Sequence, residues 1–85
     1  MAKQVQILYP IEDIESHSKI NSIMSHLKNE ANVYHIAKFE EEDNVLIIFI
    51  APTRHIGNIL DELEMFDVGT EYGAAVSIIN LQSLK

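Results

Sequence analysis

An α+β sandwich, four antiparallel strands with two helices on one face, is the fold class this sequence predicts. Three observations carry that expectation. Strand-like segments flank two stretches whose apolar residues repeat at helical spacing. A hairpin signal joins the two middle strands. The two halves of the chain also look like copies of one unit. At 85 residues the chain is a single domain spanning 1–85, because chains divide only at much greater length.

Gln4 to Tyr9 alternates, with Val5, Ile7 and Tyr9 on one side and Gln4, Gln6 and Leu8 on the other. That is a half-buried strand, ended by Pro10. Ile20, Ile23, Met24, Leu27 and Ala31 then predict a helix from Asp13 or Ser16 to Asn29. Val33 to Phe39, rich in β-branched and aromatic residues, reads as the second strand. The polar run Glu40-Glu41-Glu42-Asp43-Asn44 turns it into Val45–Ala51, the third strand, which Pro52 ends. Ile56, Ile59, Leu60, Leu63 and Phe66 form a second helical stripe, with Thr53 as its N-cap and Gly69 at its C-terminus. Ala74 to Leu81 supplies the last strand. Pro10 and Pro52 lie at an offset of 42, and the stripe starting at Ile20 matches that starting at Ile56 at an offset of 36. The first half therefore carries about six extra residues within Ile11 to Ser18. Two right-handed β-α-β units related in this way make a ferredoxin-like β-α-β-β-α-β sandwich.

Composition narrows function by exclusion. Six Lys and Arg against thirteen Asp and Glu give a net charge of −7. This argues against nucleic-acid binding, which draws on clustered cations, and against docking on anionic lipid. The absence of Cys removes disulfides, thiolate metal sites and cysteine catalysis. The longest apolar run, Val45 to Ala51, is too short to span a bilayer, so this chain is not expected to insert into a membrane. Met1-Ala2-Lys3-Gln4 leads into the first strand without a signal-peptide core, which gives a cytoplasmic expectation.

Few residues suggest chemistry. His17 and His26 fall on opposite faces of the first helix, and no H-x-x-x-H or H-x-H pair brings histidines together. Glu12, Asp13 and Glu15 are weak candidates for a hard cation. Their simpler role is to complement a helix N-terminus, and no metal or other cofactor is expected. Glu40 to Asp43 keeps the aggregation-prone third strand soluble. Asp61, Glu62, Glu64 and Asp67 make the outer face of an amphipathic helix. Gly69-Thr70-Glu71-Tyr72-Gly73 has neither the dinucleotide fingerprint nor the Walker lysine, and reads as a tight turn.

Other activities found on ferredoxin-like folds also fail. The third strand has no cation for an RNA-recognition motif, and the loop Ile11-Glu12-Asp13-Ile14-Glu15 is no anion cradle of the acylphosphatase kind. No spacing suggests a nucleophile and its base, so the expectation is a protein that is not an enzyme.

The opening Gln4-Val5-Gln6-Ile7-Leu8-Tyr9-Pro10 resembles the start of the "domain of unknown function 389" family. The close, Leu60-Asp61-Glu62-Leu63 through Val68-Gly69-Thr70-Glu71-Tyr72-Gly73, is similar to it as well. The resemblance covers nearly the whole chain, through apolar motifs. It implies a soluble N-terminal domain tethered to a hydrophobic membrane domain in a longer parent, and it brings no catalytic residues. The acidic insert after Pro10 is longer than the family pattern, and the sequence given ends at Lys85 without a membrane segment.

Two functions compete on these grounds. One is a non-enzymatic regulatory or protein-interaction domain that self-associates through its open sheet face. The other is a stand-alone small-ligand sensor of the amino-acid-binding or nitrogen-regulator type, although the first loop lacks its early glycine and the hairpin is short. The first rests on the third strand, which is apolar on both sides. With Ile47, Phe49 and Ala51 under the helices, Leu46, Ile48 and Ile50 face outward, joined by Val76 and Ile78 or their neighbours. A second copy, giving a homo-oligomer, or a membrane-domain partner in a longer parent would cover such a face.

Overall fold

The computed structural model describes residues 1–70 and 74–80. Strand β1 (Ala2–Pro10) leads to helix α1 (Ile14–Lys28), then β2 (His35–Glu40), β3 (Asn44–Pro52), α2 (Thr53–Leu63), a 3-10 turn (Glu64–Phe66) and β4 (Ala75–Asn80). The strands form one antiparallel sheet in the order β2-β3-β1-β4. This is the ferredoxin-like sandwich. The sequence predicts a last strand reaching Leu81, which lies outside the described residues.

Alternation decides which side of the sheet is covered. Val5, Ile7 and Tyr9 of β1 and Val45, Ile47, Phe49 and Ala51 of β3 are buried. They pack against Ile20, Ile23 and Leu27 of α1 and Ile56, Ile59 and Leu63 of α2. The two central strands thus supply one face of the core and the two helical stripes supply the other.

The acidic insert has a structural use. Asp13 is the N-cap of α1: its carboxylate accepts from the Ser16 amide at 3.1 Å, while the Ser16 hydroxyl accepts from the Asp13 amide at 3.4 Å. This is a capping box with serine in the place usually held by Glu or Gln.

Local expectations fail at several positions. Thr53 is not the N-cap of α2. Pro52 holds that position, and the Thr53 hydroxyl donates instead to the Met1 carbonyl at 3.0 Å, joining the start of α2 to the start of β1. Ala31 is exposed and lies beyond the end of α1, so the apolar stripe stops at Leu27. Gly69 does not cap α2 either. The helix tightens into the 3-10 turn, and Asp67 takes the left-handed conformation at φ 65°. Asp tolerates this region better than most side chains, and the Lys19 ammonium holds its carboxylate at 2.6 Å. Val68 then enters the core, and Gly69 follows at φ 76°.

Candidate functional site

The pairing register defines the open face row by row, because directly opposed residues point to the same side of a sheet. Phe39, Leu46, Leu8 and Ala75 cross all four strands in one apolar row. Ala37, Ile48, Gln6 and Ser77 form the next, and His35, Ile50, Gln4 and Ile79 the third. Leu46, Ile48 and Ile50 are half-buried. Around them Leu8 is 44% exposed, Phe39 54% and Ile79 39%. Gln6 donates to Gln4 at 3.1 Å, so these amides partly satisfy one another on β1.

One part of the expected face is misplaced. Val76 pairs with Ile7 and Ile78 with Val5, so both lie on the helix side of β4, where Val76 packs against the core. Ser77 and Ile79 occupy the outward positions. The segment Ala75-Val76-Ser77-Ile78-Ile79 carries apolar residues at both parities, and only the register with β1 separates them.

Charge is absent from these three rows. None of their twelve positions is Asp, Glu, Lys or Arg, although the chain carries thirteen acids and six bases. Among the described residues the acids lie elsewhere: on the tip of the β2–β3 hairpin, on the exposed side of α2 and the turn that follows it, and around the start and just past the end of α1. A neutral, largely apolar surface thus sits on a strongly anionic molecule.

At the rim of the covered face the Tyr9 hydroxyl donates to the Phe66 carbonyl at 2.7 Å. Burial pushes the Tyr9 pKa above 10.0, opposed by the charge of Lys19 and reinforced by that of Asp67. The hydrogen bond to Asp67 raises the Lys19 pKa in turn. These groups fasten the 3-10 turn to β1 and α1.

Glu12, Asp13 and Glu15 are all exposed, and the Asp13 carboxylate is committed to its cap. The structure instead brings together three donors that spacing did not single out. One atom from each of His26, Glu30 and Glu62 lies within 4.8 Å of the others. His26 and Glu30 stand four apart across the end of α1, a spacing that was readable. Glu62 comes from α2, and only the packing of the helices reveals it. His17 and His35 are exposed and His55 half-buried, outside this group. Glu71, Tyr72 and Gly73 of the supposed tight turn lie outside the described residues.

Among the described residues no helix is long and apolar enough to cross a membrane. No protein-family profile and no curated protein sequence matches this chain. Solved structures do resemble it. A mutant of SnoaB, a cofactor-independent oxygenase from Streptomyces nogalater, superposes with a TM-score of 0.72 at 6% identity, over 95% of this chain and 93% of that one. The ACT domain from GTP pyrophosphokinase of Chlorobium tepidum gives 0.66 at 12% identity, over 94% and 86%. The de novo designed protein Ferredog-Diesel gives 0.64 at 11% identity, over 94% and 85%. An oxygenase, a domain of a pyrophosphokinase and a designed protein thus share one backbone course, and identities this low establish the fold alone: this chain has the ferredoxin-like fold.

Proposed function

We propose that this protein is a non-enzymatic regulatory or interaction domain that self-associates through the open face of its sheet. The observation that carries the reading is the uncharged face itself, with its continuous row Phe39–Leu46–Leu8–Ala75. A lone antiparallel sheet with helices on one side ordinarily presents polar residues on the other. A second copy is the partner this chemistry favours. Each copy carries a net charge of −7, and the uncharged face is where two can meet with the least repulsion. In a longer parent, a membrane-domain partner is the other candidate for the same surface.

Sedimentation of the wild-type chain and of Ile48→Lys tests the proposal. The wild type associates reversibly at micromolar concentration, whereas the variant stays monomeric with unchanged circular dichroism. A wild type that is monomeric at high micromolar concentration, or a variant that associates equally well, overturns it.

The likeness to the ACT domain of a GTP pyrophosphokinase favours a second reading, a small-ligand sensor in a regulatory role. Thermal-shift measurements against free amino acids and nucleotides check it. A saturable rise in Tm supports that reading, and a flat panel removes it.

A further inference from the structure

We infer that His26, Glu30 and Glu62 form a binding site for one divalent transition-metal ion of the zinc class, joining the end of α1 to α2. Three observations converge on this. The donor atoms come within 4.8 Å of one another, although they arrive from two separate elements. His26 Nε2 is shielded from solvent and has no hydrogen-bond partner among the described residues. Its nearest acid, Glu62 Oε2, is 3.6 Å away, beyond a good hydrogen bond.

That separation suits a metal better than it suits a hydrogen bond. Ligands about 2.0–2.2 Å from a tetrahedral zinc stand about 3.4 Å apart, so the pair needs only a small adjustment to share an ion. Glu30 is prearranged as well. Its Oε1 accepts from the Asn32 amide at 3.3 Å and from Asn32 Nδ2 at 3.2 Å, which orients the carboxylate as an outer partner orients a ligand. The turn after α1 places it, with the Glu30 amide donating to the Leu27 carbonyl at 3.2 Å.

The donor set selects the ion. One imidazole nitrogen beside two carboxylates favours zinc or cobalt over magnesium and calcium, which prefer oxygen alone. Two carboxylates and a neutral imidazole also balance the double charge of the bound ion, in a protein whose net charge attracts cations. Three protein ligands leave a fourth position for water. The ion would clamp the two helices together, so its binding stabilises the folded chain. This inference is independent of the sheet face, which lies on the opposite side of the sheet from the helices.

Calorimetric titration of the full chain with Zn²⁺, together with visible absorption of Co²⁺, tests the assignment. One Zn²⁺ binds per chain, Co²⁺ develops ligand-field bands, and Tm rises with Zn²⁺ concentration. His26→Gln and Glu62→Gln each weaken binding by about tenfold or more, the scale seen even for lost outer partners, and keep the wild-type circular dichroism. His35→Gln, away from the cluster, binds as the wild type does. Absence of saturable binding at tens of micromolar overturns the site, as does binding that survives either His26→Gln or Glu62→Gln. Because Glu62 is exposed, its substitution leaves the fold standing and keeps the test decisive.

Discussion

Ile48 and Phe49 are neighbours on β3, yet Phe49 is wholly enclosed while Ile48 stands half-covered on the open face. The same contrast runs along β1, where Val5 and Ile7 are buried beside the half-buried Gln4 and Gln6. The covered face is fixed by packing, with its central side chains Val5, Ile7, Ile47 and Phe49 enclosed in the core beneath the helices. The open face is fixed only by strand pairing, so its composition is free to serve something other than folding. β1 uses that freedom for two glutamines beside Leu8, and β3 for three apolar residues. A strand apolar on both sides exceeds what this fold's stability demands, which is why the open face is where function is sought.

The sharpest way to break the comparison is to place the same charge on either side of β3. Phe49→Lys is expected to unfold the chain. Losing the ring alone costs about 3–5 kcal/mol, a large share of the about 5–15 kcal/mol typical of a domain, and an unpaired buried ammonium adds to it. Ile48→Lys is expected to melt close to the wild type. Circular dichroism during thermal melting reads both, and equal damage from the two would show that the faces are not distinct.

A smaller effect sharpens the same contrast on β4, where the register with β1 and not the sequence pattern decides which residues face outward. Val76→Lys is expected to cost about 1–3 kcal/mol because Val76 packs against the core. Ser77→Lys, on the outward side, is expected to stay within about 0.5 kcal/mol. Urea titration compares them. A reversed order would mean that β4 pairs with β1 one residue out of register.

The way β4 misled explains how much of the fold was legible. In β1 Gln4-Val5-Gln6-Ile7 alternates polar and apolar, with only Leu8 breaking the pattern, so the covered side follows from it. In β4 Val76, Ile78 and Ile79 occupy both parities, and a pattern without alternation holds no information about sides. The core helices were readable because Ile20, Ile23 and Leu27, and again Ile56, Ile59 and Leu63, repeat at helical spacing. Their ends were less so. Thr53 has the chemistry of a cap, but Pro52 takes the position and Thr53 is drawn to Met1, a partner 52 residues away. The metal cluster is illegible for a similar reason. Its half at the end of α1, His26 and Glu30, carries no weight until α2 supplies Glu62.

The cap of α1 gives a third test, since α1 covers the buried face. Asp13→Ala is expected to cost about 1 kcal/mol by leaving the Ser16 amide without its acceptor. Glu12→Ala, at an exposed residue outside the cap, is expected to cost no more than about 0.5 kcal/mol. Equal losses from both would mean that the insert acts through its summed charge and not through the cap.

Tyr9 offers the finest probe, because it lies at the edge of the covered face with one polar atom. Tyr9→Phe removes the hydrogen bond to the Phe66 carbonyl and is expected to cost about 0.5–1 kcal/mol near neutral pH. Its pH dependence has a definite sign. Burial raises the folded pKa of Tyr9 above the ordinary 10.0, so the unfolded chain loses this proton first as pH rises. The contribution of Tyr9 is therefore fully present below pH 10.0 and is lost as pH climbs through the raised folded value. Lys19, raised from 10.5 by its hydrogen bond to Asp67, is lost in the same direction and remains in both proteins. The stability advantage of wild type over Tyr9→Phe should thus shrink above pH 10.0 and hold steady below it. Denaturant titrations on both proteins across that range measure the difference. A gap that stays constant into the alkaline range would mean that the Tyr9 hydroxyl is solvated, and that the covered face ends before it reaches the 3-10 turn.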